Sequence, residues 1–499
     1  QLPWQPLAPV QLKGKAGFVR VYRLSDEAQM ARPTSTRQPL IGRQQELTQL
    51  TAYVDGLRRG DGRILIIEGE AGIGKSRLAA ELLPLAADRG LVGLSGAAQS
   101  IEQQTTYRAW RDVFSSYFGL EDGETTAQRR QKVQDRVLEL VPELAERLPL
   151  LNDVLNLDLP NTPLVRALTG QARHNSLVLF LIELLEKWLA ERPLILLLED
   201  AHWFDSLSWD LALQVARTFM LEDRAFFLVL VMRPLTRPLA AQSSERLAAL
   251  QAIRALTATR TMLLMPLPAA DTVALAAARL GLTAVQLPPT ITELIQTRAG
   301  GNPFFAEEIV YALRDNGLLR LNGHDPELIG DPEEISQTLP GTLQGIVLSR
   351  IDRLTPAQQL TLKVASVIGR SFGFAALRGL LNEHTQISEP VLHEHLAHFV
   401  DRDLTALELP EPDLTFVFKH IITREVAYET LLHTQRRQLH RSVALWYERQ
   451  LGEEALYPYY AVMVYHWQQA GDKEREGVYA RLAGLKAAAQ YANQEALAY

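Results

Sequence analysis

The chain has 499 residues, of which 47% are hydrophobic and 22% are charged, and its formal net charge is -7. This length exceeds what one hydrophobic core supports, so we expect several domains, and the negative charge argues against a general electrostatic grip on nucleic acid. The absence of cysteine excludes disulfides and cysteine-ligated zinc.

No apolar run is long enough to span a bilayer, and no signal peptide is visible, so we predict a cytoplasmic protein with no membrane partner. The chain begins with Gln1 and ends at Tyr499 inside a helical pattern, which we interpret as part of a longer protein.

A β-hairpin is predicted at the start of the chain, within residues 1–24. The run FVRVYRL, from Phe18 to Leu24, is rich in β-branched and aromatic residues and alternates between two faces. The preceding VQL, with Gly14 and Gly17 in between, supplies the other strand and the turn. Residues 25–38 are polar and aperiodic, which is typical of a linker.

Residues 39–235 have the alternating pattern of an α/β domain. The elements in order are a helix in IGRQQELTQLTAYVDGL, a strand RILIIEG, a helix SRLAAELLPLAADRG, and strands LVGLSGAA, LILLLED and AFFLVLVMR. Such alternation predicts a parallel sheet with helices on both faces. The segment 124–190 is almost wholly helical in pattern and is interpreted as an insertion between strands.

The remaining chain divides into three predicted parts. Residues 236–335 are mostly helical, and residues 336–435 mix helices with two short strands, LTALELP and LTFVFKH, around Pro410 and Pro412. Residues 436–499 form helix pairs rich in Ala, Leu and Tyr, fewer than a solenoid needs for stability alone. The predicted fold is therefore a multidomain combination of α/β and all-α parts.

The stretch GEAGIGKSRL contains the pattern Gly-x-x-x-x-Gly-Lys-Ser of a phosphate-binding loop (P-loop). Glycine lets successive backbone N–H groups point at phosphate oxygens, and the following helix adds its positive end. Lys75 is expected to reach the β- and γ-phosphates, and the Ser76 hydroxyl to bind Mg²⁺. The candidate nucleotide-binding residues of this stretch are Gly69, Gly72, Gly74, Lys75, Ser76 and Arg77.

A P-loop requires an acid at the end of a neighbouring strand to hold the metal. Glu199 and Asp200 end the run Leu194–Leu198, and we assign Glu199 to the metal and Asp200 to polarisation of the attacking water. Asp205 is interpreted as a helix N-cap. Arg233 ends the strand AFFLVLVM, where a guanidinium could sense the γ-phosphate or form a surface ion pair.

Five motifs in order, PLIGRQQEL, GEAGIGKSRL, LLLEDAHWFD, a strand ending in Arg-Pro, and AGGNPFFAEE, resemble the STAND class of signal-transduction ATPases. The resemblance covers roughly residues 39–435. It implies a P-loop NTPase domain at 39–235, a helical lid at 236–335 and a winged-helix domain at 336–435. It also implies ATP or ADP as the nucleotide. The choice of adenine rests on this resemblance, because the P-loop alone does not distinguish adenine from guanine.

The resemblance assigns further residues to the nucleotide. Ile41, Gly42 and Arg43 would contact the adenine, Arg233 would be a phosphate sensor, and Pro303 of Gly301-Asn302-Pro303 would pack against the base. Pro303 is also an ordinary first residue of a helix.

His420 lies in FVFKHIITREVAYETLL, at the place where relatives use a histidine to bind the β-phosphate of ADP. The alternative is a histidine satisfied within the core of the domain. This chain has Phe-Lys-His where the better-known motif is Met-His-Asp.

Both ends of the chain resemble other modules. The helices after residue 436 resemble the start of a TPR-like array that would bind a protein or small-molecule signal, although a plain helical cap remains the alternative. PVQLKGKAGFVRVYRL resembles the last strands of a class III nucleotidyl cyclase, whose metal-binding aspartates would lie upstream. Cyclase activity is therefore expected only in a longer parent protein.

The sequence leaves several functions open. The first is a slowly hydrolysing ATP switch, in which ATP favours an open or assembled state, and whose nucleotide state controls the domain arrangement and an attached adenylate/guanylate cyclase output. The others are an ATP-dependent transcriptional regulator, a remodelling ATPase, and a binding scaffold in which the repeats bind the partner. A remodelling ATPase would need an arginine from a neighbouring subunit in a ring. RRQLHR is a basic run, but no helix has the Arg, Asn and Gln content typical of DNA reading.

Overall fold

The computed structural model describes residues 4–6, 10–11, 18–19, 22–24, 40–121, 123–221, 224–234, 244–322, 325–330, 339–385, 387–409 and 413–499. The chain divides into two compact units, Gln1–Ile41 and Gly42–Tyr499.

The first unit contains two antiparallel strand pairs. β1 (Trp4–Pro6) pairs with β4 (Tyr22–Leu24), and β2 (Val10–Gln11) pairs with β3 (Phe18–Val19). The pairing of β2 with β3 confirms the predicted hairpin. Its turn glycines and the predicted linker at 25–38 lie outside the described residues.

A five-stranded parallel sheet lies at the centre of the second unit. Its strands are β5 (Arg63–Glu68), β6 (Val92–Ala97), β7 (Leu194–Glu199), β8 (Phe226–Met232) and β9 (Thr259–Leu263). The strand order is β6-β7-β8-β5-β9. Every residue of β8 is buried, as expected for a strand covered on both faces.

Two details of this sheet differ from the prediction. β9 lies beyond the predicted domain end at residue 235, and it pairs with β5 from Ile64↔Thr259 onward. Three of its five residues are exposed, so it lacks the continuous apolar run that marks β5, β7 and β8. In addition, β8 lies between β5 and β7, so the strand that ends in Glu199 is not the direct neighbour of the P-loop strand.

Helices surround the sheet and fill the segment between β6 and β7, as predicted. They are α1 (Gln44–Leu57), α2 (Lys75–Ala79), α3 (Leu82–Ala87), α4 (Arg108–Tyr117), α5 (Thr126–Leu140), α6 (Asn152–Leu155), α7 (Pro163–Ala167), α8 (Gly170–Glu191), α9 (Ser206–Leu221) and α10 (Ser244–Arg254). The helix expected after the P-loop is divided into α2 and α3. Short 3-10 segments occur at Ser100–Glu102, Pro142–Leu151 and Ala201–Trp203.

A helical segment with its own core follows the sheet. It consists of α11 (Ala269–Arg279), a 3-10 segment (Ala284–Gln286), α12 (Pro289–Arg298), α13 (Pro303–Asp315) and the hairpin β10 (Leu319–Asn322) with β11 (Asp325–Leu328). Asn302 caps α13, since its side chain accepts a hydrogen bond from the Phe305 amide, and Pro303 is the first helical residue. We call residues 264–328 the lid segment.

Helices and a small sheet make up residues 339–432. The helices are α14 (Leu343–Asp352), α15 (Pro356–Ile368), α16 (Phe374–His384), α17 (Glu389–Asp401) and α18 (Ile421–Glu429). The antiparallel sheet has the order β12 (Ser371–Gly373), β14 (Thr415–Phe418), β13 (Thr405–Leu409). The two predicted short strands are therefore confirmed, while Pro410 and Pro412 lie outside the described residues. We call this part the wing segment.

The chain ends in helices that fold back onto the parallel-sheet part. They are α19 (His433–Gln450), α20 (Glu453–Leu456), a 3-10 segment (Tyr457–Tyr459), α21 (Tyr460–Ala470), α22 (Lys473–Ala489) and α23 (Asn493–Ala498). Ala487 and Ala492 belong to the hydrophobic core that contains the sheet and α4. Among the described residues, no helix is long and apolar enough to cross a membrane.

Candidate nucleotide-binding site

The P-loop joins β5 to α2 at the carboxyl edge of the parallel sheet, the edge at which open α/β sheets bind ligands. Gly72 and Gly74 have φ angles of 77° and 95°, a left-handed backbone that favours glycine. Lys75 Nζ donates hydrogen bonds of 2.8 Å to the carbonyl oxygens of Gly69 and Glu70. The loop is therefore wrapped around its own lysine.

Lys75 shares its surroundings with Arg233 and Asp200. Burial, followed by the positive charge of Arg233, lowers the pKa of Lys75 to about 8, and Asp200 acts in the opposite direction. Lys75 thus remains mainly charged at neutral pH. The predicted strand-end arginine and the second acid therefore lie near enough to Lys75 to act on its charge.

Ser76 and Glu199 connect the P-loop helix to the end of β7. The Ser76 hydroxyl donates a hydrogen bond to the Glu199 carboxylate, which opposes the rise in the pKa of Glu199 caused by burial. A hydroxyl and a carboxylate are hard oxygen ligands of the kind that Mg²⁺ prefers, and Mg²⁺ commonly takes few protein ligands. These two side chains therefore fit the magnesium site that the P-loop implies.

Asp200 is held by a residue from a distant part of the chain. Its backbone has a φ of 54°, and its carboxylate accepts a 2.9 Å hydrogen bond from Arg370 Nη1. Arg370 directly precedes β12 of the wing segment. The side chains are partly exposed, 25% for Asp200 and 33% for Arg370. Sequence reasoning missed Arg370, because 170 positions separate the partners and neither lies in a pattern that links them.

His202 is a second residue that the motif analysis missed. Burial, then the charges of Arg233 and Lys75, lower the pKa of His202 to about 3, so the ring is neutral. Neither ring nitrogen has a hydrogen-bond partner within the part of the chain that the structure describes. A histidine two residues after the acid pair in LLLEDAHWFD was the available signal.

Arg43 fixes the P-loop through its backbone. It is 5% exposed, and its Nη2 donates to the carbonyl oxygens of Ile73 at 3.1 Å and Met265 at 2.7 Å. Gly42 has a φ of 72°, and a Cβ there would lie 2.7 Å from the Asp271 Cβ, so the turn requires glycine. Ile41 belongs to the first unit. The expected contacts of Ile41, Gly42 and Arg43 with adenine stay predictions.

The start of α13 lies directly on the P-loop. Asn302 Nδ2 donates to the Ala71 carbonyl oxygen at 3.1 Å, and the Phe304 amide donates to that of Gly72 at 3.4 Å. A Cβ at Gly72 would approach Asn302 Oδ1 to 3.0 Å, and one at Gly74 would lie 4.0 Å from Pro303 Cγ. The structure therefore brings Pro303 to the P-loop.

His420 directly precedes α18, and it contacts Phe304 of the lid segment next to the P-loop. Its ring stacks on Phe304 with a centroid distance of 3.8 Å and an interplanar angle of 27°. Burial lowers the pKa of His420 to about 3, and its Nε2 lies 3.9 Å from Glu307, which pairs with Arg279. A phosphate contact of His420 stays a prediction.

Two other charged residues of the sequence motifs have structural partners. Arg77 forms an ion pair with Glu81 one turn further along the chain. Asp205 caps α9, since its carboxylate accepts a 3.0 Å hydrogen bond from the Ser208 amide, as predicted.

Comparison with known protein families matches residues 39–229 to the AAA ATPase domain. The chain therefore contains an AAA ATPase domain. The match spans the P-loop, both acids and most of β8. A second match, over residues 269–322, is to a domain of unknown function (DUF8739) and covers α11 to α13 of the lid segment.

Similar curated proteins share one quarter of the aligned residues. An uncharacterized protein of Rhizobium meliloti is 25% identical over 411 residues, which is 81% of this chain and 36% of that protein. Adenylate cyclase type 10 of Oryctolagus cuniculus is 24% identical over 208 residues, 41% of this chain and 12% of that protein. The chain thus spans about a third or less of the length of these relatives.

Solved structures give looser likenesses. A STAND protein with a tetratricopeptide repeat sensor from Pyrococcus horikoshii has a TM-score of 0.46 at 13% identity, covering 91% of this chain and 55% of that one. The Aeropyrum pernix ORC1 protein, solved in complex with DNA, has a TM-score of 0.35 at 11% identity, covering 80% and 95%.

Proposed function

We propose that this chain is an ATP-binding switch that hydrolyses ATP slowly and whose nucleotide state sets the arrangement of its domains. In this proposal the arrangement described above is the closed state, which ADP favours. ATP favours an arrangement in which the lid and wing segments move away from the P-loop. The match to the AAA ATPase domain supports the choice of nucleotide.

The observation that carries the proposal is the convergence of three parts of the chain on one site. The lid segment contacts the P-loop through Asn302 and Phe304, and the wing segment contacts Asp200 through Arg370. A ligand bound at the P-loop would meet these contacts directly. A nucleotide with different affinity for the two arrangements would therefore shift the population between them.

Hydrolysis would use the side chains that gather at the end of the sheet. Asp200 would accept a proton from the attacking water once Arg370 has released it. Lys75 and Arg233 would stabilise negative charge that develops during phosphoryl transfer. Mg²⁺, held by Ser76 and Glu199, would neutralise phosphate charge when bound. The pairing of Asp200 with Arg370 gives a physical reason for slow turnover in the closed state.

The output of the switch is proposed to be an attached nucleotidyl cyclase in a longer protein. The similarity to adenylate cyclase type 10 over 208 residues supports this output. The C-terminal helices, proposed as the start of a TPR-like array, would receive a protein or small-molecule signal. An ATP-dependent regulator of transcription is the second candidate, favoured by the small antiparallel sheet and helices of the wing segment, which we propose to be a winged helix.

Lys75→Ala tests the proposed site. Removal of the ammonium should reduce ATP and ADP affinity by about a hundredfold or more, because a charge-assisted contact to phosphate contributes about 1.5–3 kcal/mol and the loop also loses its central partner. Binding is measured by isothermal titration calorimetry. Lys187→Ala, on a 42% exposed lysine of the same domain, is the matched control and should bind normally. Retention of tight nucleotide binding by Lys75→Ala would refute the site.

A further inference from the structure

A cleft lies where the C-terminal helices meet the AAA ATPase domain, away from the P-loop. One wall is the segment from Gln104 to Thr106, ahead of α4, and the opposite wall is formed by Lys486 of α22 and Gln490, which directly follows that helix, with the start of α21. Thr106 Oγ1 donates a 2.6 Å hydrogen bond to Gln490 Oε1 across the junction. The two walls therefore belong to parts of the chain that are far apart in sequence but bonded at this point.

Polar groups in the cleft have capacity for a ligand. Thr105 is 5% exposed, and its hydroxyl has no hydrogen-bond partner within the described part of the chain. The Tyr499 hydroxyl also lines the cleft, and it too is buried with no hydrogen-bond partner among the described residues. An unpaired buried hydroxyl is costly, so such groups in a concave site indicate a missing partner.

A cation completes the polar lining. Lys486 Nζ donates a 3.0 Å hydrogen bond to the Tyr457 carbonyl oxygen and lies 4.4 Å from the centre of the Tyr457 ring. An ammonium has three donors, and the described contacts use one of them. Two donors are therefore available to an acceptor in the cleft.

The charges around Lys486 favour an anion. Arg111 and Asp153 are the charged groups that act on Lys486 most strongly after burial. Asp153 is neutralised by Arg173, whose Nε and Nη2 each donate to it at 3.1 Å. Burial, then the charge of Arg111, lowers the pKa of Lys486 to about 7, and an anion in the cleft would favour the charged form of this lysine.

We infer that this cleft binds a small oxyanion, a carboxylate or inorganic phosphate, between the ammonium of Lys486 and the hydroxyl of Thr105. The enclosed part of the cleft has a volume of about 20 Å³. One water needs about 10–15 Å³ by this measure, so the space suits only a molecule of very few heavy atoms. A ligand that touches both walls binds only while α22 is docked, so it stabilises the docked arrangement of the C-terminal helices.

The test is isothermal titration calorimetry of the full chain with acetate, malonate or inorganic phosphate at constant ionic strength. Lys75→Ala serves as the background, so that phosphate cannot bind at the P-loop. Lys486→Met removes the charge and keeps the length of the side chain, and Thr105→Val removes the hydroxyl and keeps the shape. Lys473→Met is the matched control, because Lys473 lies on the same helix and is 80% exposed.

The expected result is binding of at least one probe with a dissociation constant of about 1 mM or lower. Lys486→Met should weaken it about tenfold or more, and Thr105→Val several-fold, as for loss of a charged and a neutral hydrogen bond. The control should leave it unchanged, and the ligand should slow amide hydrogen exchange in α22. Which probe binds distinguishes a carboxylate from a phosphate site.

Absence of binding of all three probes would overturn the inference. Binding to Lys486→Met and Thr105→Val as tight as to the Lys75→Ala background would also overturn it. Because binding is measured without nucleotide, a negative result here leaves the proposed switch standing. Failure of the switch would likewise leave this site intact.

Discussion

Replacement of Arg370 by methionine should raise the rate of ATP hydrolysis. Arg370 is the wing-segment residue whose guanidinium donates to Asp200, the proposed base, at 2.9 Å. Methionine keeps most of the aliphatic length and removes the charge. The base would then be free for water in a larger fraction of the molecules.

The size of the effect follows from the exposure of the pair. The side chains of Arg370 and Asp200 are 33% and 25% exposed. We therefore expect the free energy of the pair to lie between that of an exposed ion pair, about 0.2–1 kcal/mol, and that of a charge-assisted hydrogen bond, about 1.5–3 kcal/mol. A loss of about 1 kcal/mol changes the equilibrium about fivefold. We therefore expect steady-state ATP turnover to rise about fivefold and ADP to dissociate faster by a similar factor.

The assay is phosphate release at saturating ATP, with ADP dissociation measured by displacement of a fluorescent analogue. Arg378→Met is the control, because Arg378 also belongs to the wing segment and pairs with Glu389 at 2.8 Å, but both side chains are about half exposed. Unchanged or slower turnover in a folded Arg370→Met protein would refute the reasoning that Arg370 restrains Asp200.

Two further predictions concern His420 and the docked C-terminal helices. His420→Ala should weaken ADP relative to ATP, because it removes the ring that stacks on Phe304 next to the P-loop; titration calorimetry with both nucleotides checks this, and an unchanged ratio would remove His420 from the mechanism. Burial and the neighbouring Glu495 carboxylate raise the pKa of Asp205 to about 6. Because the folded pKa lies above the unfolded value, the native state binds the proton more tightly, so this group stabilises the protein below about pH 4 and the contribution is lost as the pH rises to about 6. The whole change is on the order of 3 kcal/mol at about 1.4 kcal/mol per pKa unit. Asp205→Asn should remove this part of the pH dependence in urea unfolding at several pH values, and a variant with the wild-type pH profile would contradict it.

The local elements of the fold were predictable because each has its own pattern. The buried strands β5, β7 and β8 are continuous apolar runs, and the P-loop glycines at positive φ follow from the motif itself. β9 was not predictable in this way, since most of its residues are exposed and it has no such run. The order of the strands, with β8 between β5 and β7, depends on helix packing that no local pattern records.

The candidate site was predictable only as far as its motifs reach. Lys75, Ser76 and Glu199 come from two motifs and do meet in space. The Arg370 contact to Asp200 and the Glu495 contact to Ser206, at 2.8 Å, join residues 170 and 289 positions apart. Such pairs arise from the arrangement of whole segments, and a charged residue gives no sign in the sequence of which distant partner it will meet.

The most direct test of the switch is the identity of the nucleotide that the protein carries. The chain is purified with no added nucleotide and denatured, and the released compound is identified by chromatography and mass spectrometry. A switch in its closed state should release ADP in a ratio close to one per chain, held beneath the lid segment before denaturation. An empty site, together with steady ATP turnover by the same preparation, would contradict the closed ADP state and favour a continuously working ATPase.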